Sequence, residues 1–249
     1  MKPERKKGFY EKYIKRFLDI VLASLAMIVF FWLYLIIAVL VRIKLGSPVV
    51  FKQPRPGLID PKTGQERIFY LYKFRTMTDE RDANGDLLPD DVRLTKFGKW
   101  LRESSLDELL EAWNIIRGDM SVIGPRPQLV RDMVFMTDEQ RRRHTARPGL
   151  SGLAQVKGRN AITWEEKLNW DLKYIEKISF WGDVKLVFET IKVALFKHEG
   201  ITDGENATAL DYGDALLKSG KISLQAYNRK QEEAKELMET RDETVKIHL

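Results

Sequence analysis

The chain of 249 residues contains no cysteine, which excludes disulfide bonds, thiolate metal sites and a cysteine nucleophile. Histidine is scarce too, since the only histidines are His144, His198 and His248, and this excludes a histidine-rich metal cluster. Any chemistry of this chain therefore depends on carboxylates, hydroxyls, lysine and arginine.

Positive charge is concentrated at the N-terminus. The chain carries 42 Lys and Arg against 36 Asp and Glu, a net charge of +6, and most of this excess precedes Asp19. Beyond this basic leader the sequence shows neither a dense basic stripe nor a recognised nucleic-acid motif. We therefore expect no nucleic-acid partner.

Residues 20–41 contain no charged residue, glycine or proline. As a helix, this run of about 22 residues would extend about 33 Å, enough to cross a bilayer. It is too long for the core of a signal peptide, and Arg42 follows it instead of small residues. We therefore expect a basic juxtamembrane leader, residues 1–19, and a retained membrane helix, residues 20–44.

Both flanks of this run are basic, because Arg42, Lys44, Lys52 and Arg55 follow it before the first acid, Asp60. Since cytoplasmic flanks collect Lys and Arg, a helix that enters the bilayer and returns fits as well as a straight anchor. Flank charge alone does not distinguish the re-entrant helix from the straight anchor. The middle of the run contains no helix breaker that would favour the re-entrant form.

The rest of the sequence predicts a mixed, mostly helical domain. Runs rich in β-branched and aromatic residues, 49–53 and 68–77, predict a hairpin with a loop from Pro54 to Gly64. Apolar spacing predicts a helix over residues 93–102 and two helices over 163–195, broken at residues 180–182. A charged helical tail is expected from Leu224.

Ser105 and Glu108 have the spacing of a helix capping box, in which Glu108 would serve only the backbone of Ser105. Asp107 takes no part in a capping box. Its place in the first turn of a helix favours an ionised carboxylate and attracts phosphate. Further along, Arg126, Arg147 and Arg159 each adjoin proline or glycine. Guanidinium groups on such stiff turns suit phosphate oxygens, but solvated loop arginines remain an equal alternative.

Several motifs together resemble the bacterial sugar transferases, the monotopic phosphoglycosyl transferases that start glycan assembly on a polyprenyl carrier. In order along the chain they are Lys15-Arg16-Phe17-Leu18-Asp19, Lys73-Phe74-Arg75-Thr76-Met77, Ser105-Leu106-Asp107-Glu108-Leu109, Gly118-Asp119-Met120-Ser121, Gly124-Pro125-Arg126-Pro127, Arg147-Pro148-Gly149, Gly152 and Gly158-Arg159-Asn160. The resemblance runs from about Lys12 to Leu195. It implies transfer of a sugar phosphate from a UDP-sugar donor to undecaprenyl phosphate, with release of UMP.

By this resemblance Asp107 is the nucleophile that forms a covalent phosphosugar intermediate. Glu108 holds the essential Mg²⁺, and we favour this role over the capping box. The implied phosphate and nucleotide contacts are Lys73, Arg102, Arg126, Arg147 and Arg159, with weaker claims for Arg75, Gln155, Asn160 and Asp171. Lys15 and Arg16 would lie at the headgroup level of the membrane lipid, near the acceptor phosphate.

The resemblance implies an α+β fold, in which a mostly helical catalytic domain with a small antiparallel hairpin, residues 45–200, is fused to an N-terminal re-entrant membrane helix. Relatives usually turn that helix with Ser-Pro, where this chain has Phe31-Trp32. The expected location is the cytoplasmic face of the bacterial inner membrane. A helical appendage, residues 201–249, is a candidate homodimer contact. Two alternatives stay open: a membrane scaffold without activity, and a glycosyltransferase that releases UDP.

Overall fold

The computed structural model describes residues 5–158, 162–196 and 210–247. The helices of four residues or more are α1 (Lys15–Val29), α2 (Phe31–Leu45), α3 (Asp90–Arg93), α4 (Lys96–Glu103), α5 (Glu111–Arg117), α6 (Val130–Met133), α7 (Asp138–Arg141), α8 (Leu153–Gly158), α9 (Trp164–Glu176), α10 (Phe180–Phe196), α11 (Tyr212–Lys218) and α12 (Leu224–Ile247). The strands are β1 (Val50–Ile59), β2 (Glu66–Phe74), β3 (Ser121–Ile123) and β4 (Gly149–Ser151). Short π and 3₁₀ segments, Tyr10–Ile14, Leu106–Leu110 and Arg142–Thr145, complete the described elements.

The long apolar run folds as two helices and not as one. Phe30 leaves helical geometry, with φ −98° and ψ 13°, and the two halves are bent by 65°. The carbonyl of Phe30 accepts hydrogen bonds from the amides of Leu33 and Tyr34, so α2 restarts at once. Within the described part of the chain no single helix has the length and apolarity of a membrane span, whereas this bent pair has them jointly.

The predicted hairpin is confirmed: β1 and β2 are antiparallel, with Val50 opposite Phe74 and Ile59 opposite Glu66. The prediction that a loop begins at Pro54 is wrong, because β1 continues through Pro54 and Pro56. Pro54 is tolerated because the sheet has only two strands, so a residue can face its missing N–H away from the partner.

Both halves of the bent pair pack against the domain that follows. Ile37 and Val41 of α2 are buried with Phe74 of β2 and Leu101 of α4. On α1, the carboxylate of Asp19 accepts two hydrogen bonds from the start of β3. The donors are Ser121 Oγ and the backbone amide of Val122, each at 3.0 Å. The pair is therefore part of the domain core.

Some details of the rest differ from the predictions. β3 and β4 form a short parallel pair, which the sequence did not predict. Gly124 permits their approach, since a Cβ there would lie 2.3 Å from the carbonyl oxygen of Arg147. The two helices over 163–195 are confirmed as α9 and α10, but the break lies at 177–179 and Phe180 begins α10. The charged helix from Leu224 is confirmed as α12.

Candidate active site

Asp107 and Glu108 lie on the 3₁₀ helix Leu106–Leu110, directly after α4. Ser105 precedes it with φ 56° and ψ 18°, and among the described residues it is the one non-glycine residue with a positive φ. Such backbone costs on the order of 1–3 kcal/mol and often marks a functional site. The side chain of Ser105 makes no capping hydrogen bond, so the capping-box alternative for Glu108 does not hold.

The carboxylate of Glu108 binds two cations instead. Its Oε1 lies 2.7 Å from Lys73 Nζ and 2.6 Å from Arg126 Nη2. Burial would raise the pKa of Glu108, but the charges of Arg126 and Lys73 outweigh burial and hold this pKa well below its usual range. The same contact raises the pKa of Arg126 further. Glu108 is therefore ionised and fixes both cations at one point.

Asp107 is buried, with 7% of its surface exposed. Burial raises the pKa of Asp107 to about 6, against the opposing charge of Lys73. Among the described residues, no side chain or amide donates a hydrogen bond to this carboxylate, and the neighbouring cations act on it through space. A buried carboxylate with free oxygen lone pairs beside several cations is suited to attack an electrophile or to bind a cation.

A third carboxylate, Glu111, lies behind this pair and was missed by the sequence analysis. It is almost fully buried, and its Oε1 lies 3.3 Å from Lys73 Nζ. Burial and the charge of Glu108 raise the pKa of Glu111 to about 7. Its position one helical turn after Glu108 was the available signal, but on an amphipathic helix that spacing is common.

Asp107 and Glu108 line a cleft of about 690 Å³, within the size range that holds small-molecule ligands. Its walls include Lys73, Arg102, Asp107, Glu108 and Arg126. Arg102 is held by a 3.0 Å hydrogen bond from Nε to Thr76 Oγ1. The structure thus brings together five of the residues predicted for the site.

Two further predicted residues have mainly structural contacts. Arg75 reaches the cleft wall but donates to the carbonyls of Leu45 and Ser47, which ties β2 to the end of α2. Asp171 forms a buried ion pair with Arg143, 2.6 Å apart. Neither arrangement indicates a substrate contact.

The remaining predicted contacts lie elsewhere. Lys15 is buried in an ion pair with Asp183 at 2.5 Å, and Arg16 donates to the carbonyls of Ile115 and Ile116 at the end of α5. Arg147 lines a separate basic pocket of about 550 Å³, where its Nε donates to Gly118 O at 3.1 Å. Arg159 and Asn160 lie outside the described residues.

An apolar groove of about 310 Å³ adjoins the cleft. It runs between the bent helix pair and α10, with Ala26, Tyr34 and Val187 among its walls, and Glu108 lines both groove and cleft. Gln155 lies in this groove, and within the described ranges its buried Oε1 has no hydrogen-bond partner. The groove therefore joins apolar surface to the charged cluster.

The carboxylates also fit a hard cation. They offer only oxygen donors. Burial disfavours the negative charge of Asp107 and Glu111 and raises their pKa values, and a bound cation would neutralise the same charge. Mg²⁺ is usually bound by one or two carboxylates together with substrate phosphates and water. In the described ranges no group of three or more acidic or histidine side chains forms a complete metal site. The residues fit a metal that is bound jointly with a phosphate ligand.

The fold and the site together define a protein that presents a cation-lined anion cleft beside an apolar groove and a bent apolar helix pair. The profile of the bacterial sugar transferase family matches residues 10–197. The chain belongs to this family, which confirms the predicted resemblance.

Individual relatives extend this match. The chain is 45% identical over 210 residues to the uncharacterized sugar transferase EpsL of Bacillus subtilis (strain 168), covering 84% of this chain and 98% of EpsL. It is 38% identical over 192 residues to the UDP-glucose:undecaprenyl-phosphate glucose-1-phosphate transferase of Klebsiella pneumoniae, covering 71% of this chain and 39% of that protein. A UDP-N-acetylgalactosamine-undecaprenyl-phosphate N-acetylgalactosaminephosphotransferase of Aeromonas hydrophila is also 38% identical over 192 residues, covering 74% of this chain and 44% of that protein. These names support the prediction that the chain is a phosphotransferase.

Proposed function

We propose that this enzyme transfers a sugar phosphate from a UDP-sugar to undecaprenyl phosphate and releases UMP. The observation that carries the proposal is Asp107, a buried carboxylate without a hydrogen-bond donor in the described part of the chain, in a cleft with Lys73, Arg102 and Arg126. The relatives from Klebsiella pneumoniae and Aeromonas hydrophila are named for this reaction type with two different sugars. The proposal leaves the sugar open.

In the first step an oxygen of Asp107 bonds to the β-phosphorus of the donor, and the bond from that phosphorus to the bridging oxygen breaks. UMP leaves with that oxygen and its electron pair, and the sugar phosphate stays on the aspartate. In the second step a phosphate oxygen of undecaprenyl phosphate bonds to the same phosphorus, the aspartyl bond breaks, and Asp107 is regenerated.

The side chains around Asp107 have distinct duties in this scheme. Lys73, Arg102 and Arg126 bind the diphosphate oxygens and reduce the repulsion between the donor and an anionic nucleophile. Glu108, which fixes Lys73 and Arg126, would hold Mg²⁺ together with the donor. The metal would neutralise negative charge on the diphosphate.

The apolar groove suits the isoprenoid chain of the acceptor. Glu108 lines both the groove and the cleft, so a phosphate at the head of a lipid in the groove would meet the cleft at this residue. A pair bent by 65° with an exposed apolar surface at Ile28, Phe31 and Trp32 supports a re-entrant membrane position. Because UDP-sugars are made in the cytoplasm, we place the catalytic domain on the cytoplasmic face of the inner membrane.

The test uses the full chain in lipid nanodiscs with Mg²⁺, undecaprenyl phosphate and a panel of UDP-sugars. Wild type is expected to release UMP with at least one donor, and Asp107→Asn is expected to lose about a thousandfold or more of this activity. Glu103→Gln is the matched control, since this carboxylate is four residues away and 47% exposed. It should retain activity within about twofold.

Without acceptor, the mass of the wild-type protein should increase by one sugar phosphate, and that of Asp107→Asn should not. Release of UDP would show that the sugar moves without its phosphate. Full activity of Asp107→Asn would show that the aspartate is not the nucleophile.

A further inference from the structure

The C-terminal segment, which comprises α11, α12 and the residue before them, Asp211, lies outside the family match, which ends at residue 197. It nevertheless packs on the catalytic domain. Ala234 of α12 is buried with Val130 and Met133 of α6. Tyr212 of α11 is buried with Leu168 of α9, and its amide donates to Asp132 Oδ1 at 2.8 Å. Both α11 and α12 are therefore attached to α6.

This packing places one carboxylate of the segment in the wall of the catalytic cleft. Asp211 lines the same cleft as Asp107, its side chain is 16% exposed, and it forms an ion pair with Arg131, another residue of that wall. Asp211 directly precedes α11 but makes no capping hydrogen bond. The side-chain contact that holds Asp211 is therefore the ion pair with Arg131.

A second residue of this wall is only partly satisfied. Arg55 of β1 donates to Pro127 O at 3.0 Å and to Gln53 Oε1 at 2.6 Å, but its buried Nε has no hydrogen-bond partner among the described residues. Arg55, Arg126, Arg131 and Asp211 line the same cleft, and burial together with the charge of Arg126 lowers the pKa of Arg55 to about 10. The wall thus continues from the proposed phosphate site into a polar surface with acceptors and donors.

We propose that Asp211 is a donor-binding residue that, together with Arg55 and Arg131, recognises hydroxyl groups of the UDP-sugar beyond its diphosphate. The inference rests on the proposed function. A carboxylate is an acceptor with several lone pairs, so Asp211 can keep Arg131 and still accept from a hydroxyl. Donor hydroxyls come from the transferred sugar or from the ribose, and both present this chemistry.

Binding of Asp211 to the transferred sugar is tested by steady-state kinetics of the full chain in nanodiscs. The donors are UDP-glucose, UDP-galactose and their N-acetylamino counterparts. If Asp211 binds the sugar, Asp211→Asn raises KM for the preferred donor by about tenfold with a smaller change in kcat. The ratio of kcat/KM between the two C4 epimers also changes.

Binding of Asp211 to the ribose is tested by calorimetric titration with UMP and 2′-deoxy-UMP. This measurement does not depend on turnover. If Asp211 binds the ribose, Asp211→Asn weakens UMP binding by about tenfold and removes the preference over 2′-deoxy-UMP, while the epimer ratio stays constant. Either pattern supports the proposal and identifies the source of the hydroxyl.

Asp214→Asn is the matched control, because Asp214 belongs to the same helix and accepts a hydrogen bond from Tyr227 at 2.6 Å. The proposal is overturned if Asp211→Asn keeps donor kinetics and UMP binding within about twofold of this control. It is also overturned if both variants lose activity in proportion to their melting temperatures. Absence of UMP release from wild type would contradict the proposed function, and the calorimetry would still decide whether Asp211 binds the ribose.

Discussion

One buried side chain, that of Asn114, hydrogen-bonds to the backbone of β2. Asn114 of α5 is fully buried. Its Oδ1 accepts from the amide of Tyr72 at 3.1 Å, and its Nδ2 donates to the carbonyl of Tyr70 at 2.7 Å and to Asp119 Oδ2 at 3.3 Å. Asn114→Asp preserves the shape and the acceptor but removes the donor.

The cost of this substitution depends on pH. An ionised carboxylate would face the oxygen of Tyr70 at hydrogen-bond distance, whereas a protonated carboxyl could donate to it. Protonating an aspartate of ordinary pKa, about 3.9, at pH 7 costs about 1.36 kcal/mol per pH unit, or about 4 kcal/mol. At pH 5 the same cost is about 1.5 kcal/mol. The variant should therefore be destabilised less in acid.

The assay is thermal unfolding in detergent micelles at both pH values. With about 2–4 °C per kcal/mol for a chain of this size, Asn114→Asp should lower the melting temperature by about 8–16 °C at pH 7 and by about 3–6 °C at pH 5. Asn114→Ala is the control, because it removes the side-chain hydrogen bonds to Tyr70 and Tyr72 at either pH. Equal losses for Asn114→Asp at pH 5 and pH 7 would refute the reasoning.

The remaining predictions concern close packing and a buried histidine. Gly98→Ala would place a Cβ 1.7 Å from Thr76 O, so we expect a lower melting temperature and loss of UMP release, whereas Gly8→Ala, with no atom within 4 Å of its Cβ, should change neither. Burial lowers the pKa of His144 from 6.5 to about 4, against the raising effect of Glu66. Because the unfolded chain binds this proton first, stability is complete above pH 6.5 and falls by about 3 kcal/mol toward pH 4. His144→Gln should flatten this part of the unfolding profile, and an unchanged slope would show that another group titrates.

The sequence predicted much of the fold and the centre of the site. β-Branched runs located the hairpin, and apolar spacing located α9 and α10, because these signals depend on local periodicity. The resemblance identified Lys73, Asp107 and Glu108, which the structure brings into one cluster. Motif spacing carried this information even though two separate elements, β2 and the 3₁₀ helix Leu106–Leu110, supply these residues.

What the sequence did not predict depends on tertiary contacts. The break at Phe30 has no glycine or proline to announce it, and the packing of α2 on β2 and α4 stabilises it. Arg16 matches a family motif, but its guanidinium is taken by carbonyls about a hundred residues away. Asp211 follows the family match, so no motif could identify it as part of the cleft wall.

The bent helix pair and the proposed nucleophile are mechanically connected. The hydroxyl of Tyr34 on α2 donates to Leu109 O at 2.8 Å, within the 3₁₀ helix that carries Asp107. One face of α2 buries Ile37 in the domain core, while Phe31 remains 62% exposed. Since the same helix meets the core on one side and offers apolar surface on the other, its packing sets the position of the Asp107 segment relative to that surface. The proposed reaction between a soluble donor and a lipid acceptor would use this arrangement, because a nucleophile at a fixed depth relative to the apolar phase can reach both substrates.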